Sequence, residues 1–194
     1  MRKCLAVLFF SACGSTLALA QSAEISVSGG VTRIGGDLVT DPSSNAAVTW
    51  KSGFRMGIRF TWNQGKLLSH EVGYGYSRTQ LWEQHQEIAP ITAHQGFYDA
   101  LINATPEGSR VRPFACGGVQ FTTFYPPGAS TYYGGTVTKF GINYGGGIKV
   151  KLTSIWGIRA DFRQYAMGKP EFGFGNTSGW MRLTEITGGV AFMF

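Results

Sequence analysis

Charge is scarce in this 194-residue chain, with only 14% of its residues Asp, Glu, Lys or Arg, against roughly a quarter in water-soluble domains. Cysteine is scarcer. Cys4 and Cys13 lie in the first twenty residues, so the remainder keeps Cys116 alone and cannot close an internal disulfide. The only histidines are His70, His85 and His94, and none stands near a carboxylate or cysteine at metal-ligand spacing, so no metal site and no cofactor are expected. No run of Lys or Arg is present, which argues against nucleic-acid binding. Beyond residue 20 there is no stretch of ~18 apolar residues, which excludes a transmembrane helix. Gly134-Gly135 and Gly145-Gly146-Gly147 lack the strand-turn-helix setting of a phosphate loop. Disorder is excluded in turn, because 43% of residues are hydrophobic and 14% aromatic.

The amino terminus has the layout of an export signal. Arg2 and Lys3 form a basic start, Leu5 to Phe10 open an apolar run, and Ala18-Leu19-Ala20 supplies small residues where a signal peptidase reads. Residues 1–20 are expected to be removed, leaving 21–194 as one domain. The alternative makes Cys13 a lipid acceptor, with Ser11-Ala12 before it and Gly14 after it, but Phe10 stands where that motif favours Leu. Loss of Arg2 and Lys3 leaves 15 basic residues against 11 acidic, a mild charge of +4.

What the rest has in abundance is a period of two. Phe54, Met56, Ile58, Phe60 and Trp62 alternate with Arg55, Gly57, Arg59 and Thr61. A strand sends successive side chains to opposite faces, so one face is apolar and the other basic or small. Val72, Tyr74 and Tyr76 oppose Glu71, Gly73 and Gly75; Phe140, Ile142, Tyr144 and Ile148 oppose Gly141, Asn143, Gly145, Gly147 and Lys149. Trp156, Ile158 and Phe162 oppose Gly157, Arg159, Asp161 and Arg163, and Ile186, Val190, Phe192 and Phe194 oppose Glu185, Thr187 and Gly189. Residues 25–34 read as a further strand. Residues 94–103 are ambiguous, since Tyr98 and Ile102 share one parity while Phe97, Asp99 and Leu101 share the other. In 111–124, Pro113 and Gly117-Gly118 predict a bulge or bend.

The reading is about eight strands of about ten residues, the length that crosses a bilayer at a tilt. Short turns at 63–66, 105–109 and 152–154 alternate with long connections at about 35–49, 79–92, 125–137 and 166–179. That asymmetry places the short turns in a periplasm and the long loops outside. The bulky parity is expected to face lipid, because a barrel this narrow admits small residues more readily than large aromatics. Inward charges must then be compensated, so Arg55, Arg59, Lys149, Arg159 and Arg163 are expected to neutralise Glu71, Asp99, Asp161 and Glu185 in one luminal network. Trp62 and Trp156 beside short turns suit an interfacial girdle.

Several segments carry a resemblance. Val111-Arg112-Pro113-Phe114, residues 139–149 and residues 158–163, together with the ending Gly188-Gly189-Val190-Ala191-Phe192-Met193-Phe194, resemble the small OmpA-like and OmpX-like bacterial outer-membrane barrels. The resemblance implies an all-β, antiparallel up-and-down transmembrane barrel over 21–194, in the bacterial outer membrane. It further implies a C-terminal assembly signal, here Val190, Phe192 and Phe194, read by the barrel assembly machinery. No segment remains for a peptidoglycan-binding domain, so anchoring by that route is not expected.

For activity the residues favour a structural or interaction protein, not an enzyme, with a lumen plugged by charged pairs. Lipid surrounds it, and Trp82, Tyr132, Tyr133 and Phe172 in the long loops are the candidate contacts for an extracellular partner. The runner-up is a narrow pore lined by the luminal charges. A lipid A-modifying enzyme comes third: Ser69-His70-Glu71 lie side by side on one strand, where neighbours face opposite sides, and His94 lacks the serine two residues on that the deacylase motif requires.

Overall fold

The computed structural model describes residues 23–35, 37–40, 47–83, 86–125, 135–171 and 179–194. Among the described residues ten strands make up a single antiparallel sheet: β1 (Ala23–Gly35), β2 (Asp37–Thr40), β3 (Ala47–Trp50), β4 (Gly53–Gln64), β5 (Leu68–Glu83), β6 (Gln86–Asn103), β7 (Val111–Tyr125), β8 (Val137–Lys151), β9 (Trp156–Gly168) and β10 (Trp180–Met193). Eight of them, β1 and β4 to β10, pair in order around a closed wall. β1 meets β10 from Glu24↔Met193 to Gly35↔Arg182, and β5 meets β6 from Leu68↔Ile102 to Glu83↔Gln86. Closure leaves no edge with unpaired backbone groups, which hydrocarbon could not satisfy. The two short strands sit above the wall at its long-loop end, where β3 continues the line of β4 by pairing Trp50 with Leu81.

The turns at the opposite end are short for local reasons. Gly65 and Gly108 hold φ of 81° and 87°, the left-handed region that side-chain-bearing residues disfavour. The turn before β9 is tied by Thr153 Oγ1, which accepts from the backbone N–H of Trp156 at 3.0 Å.

Alternation sorts the two faces as their composition dictates. Phe60, Tyr144 and Phe192 point outward and are 37%, 44% and 37% exposed, while Arg59, Glu71 and Arg163 point inward at 2%, 0% and 0%. In β6 the inward parity belongs to Phe97, Asp99 and Leu101, and Tyr98 and Ile102 face out.

Three expectations are corrected. The stretch 79–92 is not a long loop: β5 runs to Glu83 and β6 starts at Gln86, with a bulge between Leu81 and Trp82. The inward residues of this stretch, Leu81 and Ile91, are buried and hold the hairpin together despite its polar composition. The first long connection likewise contains β2 and β3. Finally, β7 carries no bulge, since its pairing with β6 and β8 is continuous. Pro113 lies beyond the last β6–β7 ladder pair, Asn103↔Phe114, where its missing N–H interrupts nothing in the ladder.

Candidate functional site

The wall encloses a lumen, and its inward side chains among the described residues fall into three tiers. In the middle tier, Arg55, Arg59, Arg159 and Arg163 face Glu71, Asp99, Asp161 and Glu185, four cations against four anions contributed by five strands. Glu71 is the hub. Its carboxylate accepts from Arg159 at 2.5 and 3.1 Å, from Arg163 at 2.5 Å and from Thr61 Oγ1 at 2.7 Å. Arg163 also donates to Asp99, and Arg159 grips Asp161 through two nitrogens at 2.8 Å. Glu185 pairs with Arg55 at 2.5 Å and Arg59 at 2.6 Å and accepts from the Tyr165 hydroxyl at 2.9 Å. Removing any member would strand a buried partner, which is the costly event in such networks.

Large side chains enter this tier because glycines make room for them. A methyl at Gly73 would lie 2.3 Å from the Phe97 ring, and one at Gly75 would lie 2.2 Å from the Arg55 guanidinium. Phe97 in turn lies under the guanidinium of Arg163, 5.0 Å from its ring centre, a favourable cation–π arrangement.

Toward the long loops the lumen turns apolar. Ile34, Trp50, Leu81, Ile91, Phe124, Tyr165, Met167, Met181 and Leu183 form one buried cluster. An interior of glycine and compensated ions alone is therefore corrected: the long-loop end of the lumen is mainly an apolar cluster, with Thr79, Gln120 and Thr122 buried beside it.

Toward the short turns a third, polar tier follows. Lys149 belongs here and not to the central network, for it pairs with Glu24 at 2.6 Å. Arg112 donates to Asn63 at 3.2 Å and lies 3.8 Å from Glu24. Glu24 and Arg112 here, and Gln95 and Gln120 on the long-loop side of the middle tier, where Gln95 accepts from Arg55 and Gln120 meets Met167, escaped the sequence reading. Glu24 shares parity with Ser26 and Ser28, a signal too brief to stand out; Arg112 lies beside Pro113, where the period was discounted. Cys116 is a free, buried thiol packed with Leu101 and Phe114.

The remaining candidates lie elsewhere. Val190, Phe192 and Phe194 face outward, and Phe192 meets Trp156 edge-on at 5.3 Å in the girdle above the short turns. Trp82 stands at the long-loop end with the Lys51 ammonium 4.4 Å over its ring. Tyr132, Tyr133, Phe172 and His85 lie outside the described residues. His70 and His94 face outward: His70 bonds Tyr98 and Gln64 at 2.7 Å each, and His94 bonds Tyr74. Ser69 points the other way, to Asn63. Among the described residues no three His, Cys, Asp or Glu side chains group as metal ligands, and no helix is long and apolar enough to cross a membrane.

A closed antiparallel wall, greasy outside and ion-paired within, defines a transmembrane β-barrel of the small eight-stranded type. The chain belongs to the family of the outer membrane protein beta-barrel domain, whose model matches residues 5–194. Solved structures agree on the fold. Neisserial surface protein A shares 14% identity at a TM-score of 0.66, over 89% of this chain and 97% of that one. OprG of Pseudomonas aeruginosa shares 12% at 0.59, over 90% and 97%. Ail, the attachment invasion locus protein of Yersinia pestis, shares 11% at 0.57, over 90% and 99%. Among curated protein sequences none matches.

Proposed function

We propose that this chain is a non-catalytic, non-conducting barrel of the bacterial outer membrane that presents its long-loop end to an extracellular partner. The observation that carries the reading is the filled lumen: a charge-balanced middle tier lies beneath an apolar tier with fully buried Leu81, Phe124 and Met167. An ion entering from outside would meet hydrocarbon, then guanidinium–carboxylate pairs with no net charge to draw it on. Against catalysis, the outward histidines bond tyrosines and a glutamine, not a serine that a base could activate. The partner surface comprises Trp82 and, in the long connections, Tyr132, Tyr133 and Phe172. Ail, a structural relative, was solved in complex with the heparin analogue sucrose octasulfate, so a barrel of this fold can hold a ligand. Residues 1–20 serve as the cleaved export signal, and Val190, Phe192 and Phe194 as the strand read by the assembly machinery.

Planar-bilayer recording tests the reading. The purified protein is expected to be electrically silent; resolved single-channel steps would overturn it in favour of the pore. Lipid A from a heterologous host expressing the chain is expected to be unchanged, and a new acyl pattern would favour the enzyme.

A further inference from the structure

A cavity of about 280 Å³ opens at the short-turn end, between the 105–110 turn, the 152–155 turn and the end of β10. Its volume equals about nine waters at ~30 Å³ each. Its lining includes the cations Arg112, Lys149 and Lys151 and the apolar side chains of Ile155 and Met193. Two carboxylate side chains, Glu24 and Glu107, share the lining with the terminal residue Phe194. Glu24 is already engaged, with Lys149 at 2.6 Å.

Arg112 is only 6% exposed, yet its Nε and Nη2 have no hydrogen-bond partner. These two nitrogens form one edge of the guanidinium, the fork that takes a carboxylate or phosphate with two parallel bonds. Leaving a buried charged fork unpaired is costly, and neither nitrogen touches bulk water. The side chain is held lightly, by one 3.2 Å bond to Asn63 and a 3.8 Å approach to Glu24. Because both fork nitrogens are buried, an anion in the cavity meets them only after the guanidinium turns toward it.

We propose that this cavity binds a small amphiphilic anion, its carboxylate or phosphate-monoester head on the Arg112 fork and a short apolar tail against Ile155 and Met193. The site lies in the third tier of the lumen, at the end away from the long loops.

The test titrates hexanoate, butyl phosphate and hexanol into the full-length barrel in lipid nanodiscs, reading the Arg112 Nε–H resonance and the backbone amides of 107–112 and 149–157 by NMR. Hexanoate, butyl phosphate or both should shift these signals saturably, and which one binds tells a carboxylate source from a phosphate source. Arg112→Gln should weaken binding about tenfold or more. Arg112→Lys, which keeps the charge and loses the fork, should fall between; it also serves if Arg112→Gln fails to fold. Lys66→Gln, on another turn, should change nothing. Absence of saturation with both anions, equal binding of hexanol, or full affinity in both Arg112 variants would overturn the proposal.

Discussion

The middle and upper tiers of the lumen occupy equivalent inward positions of the same strands, yet one is built from ions and the other from hydrocarbon. Moving outward along β9, Arg159, Asp161 and Arg163 give way to Tyr165 and Met167; along β10, Glu185 gives way to Leu183 and Met181. What unites the tiers is enclosure, not polarity. In a narrow barrel an inward side chain is cut off from both lipid and bulk water, so it must find its partner among the other inward residues. Ions do so by pairing and apolar groups by packing, and either closes the lumen.

Removing the hub should do the most damage. Glu71→Ala leaves Arg159 and Arg163 short of an anion, with an expected loss of about 3–5 kcal/mol, measured by urea unfolding of the protein refolded into lipid. A loss below that of an exposed carboxylate such as Glu171→Ala would show that the middle tier is not coupled. In the upper tier, Leu81→Ala should cost about 2–4 kcal/mol through the cavity it leaves, with no change in net charge or salt dependence. On the outer wall, Ile58→Arg should cost about 2–4 kcal/mol near mid-membrane and impair assembly, scored by heat-dependent gel mobility. Normal assembly would mean that the faces are reversed. Smallest is the glycine contrast: Gly73→Ala collides with Phe97 and should cost about 1–3 kcal/mol, whereas Gly57→Ala, whose nearest neighbour would lie at 3.1 Å, should cost less.

This contrast also explains which parts the sequence made legible. Strands β4, β8 and β9 were readable because apolar residues alternate with charges or glycine, so parity and polarity coincide. They stop coinciding wherever the inward residue is itself apolar. Phe97 and Leu101 blurred β6 in this way, and Leu81 and Ile91 sit among glutamines and glutamates that read as a loop. The charged residues of the middle tier were identifiable one by one, but the partner of Lys149 was not, because Glu24 lies on the far strand of the closure. Partnership across a barrel depends on how strands stagger, which no single stretch of sequence encodes.

The most direct test sets like against like: methyl groups of the outer wall and of the upper lumen, measured together in lipid nanodiscs. Nuclear Overhauser contacts with lipid acyl protons should appear for Ile58, Ile148 and Val190 and be missing for Leu81, Ile91 and Leu183. Acyl contacts at the second set, or their absence from the first, would contradict the closed interior.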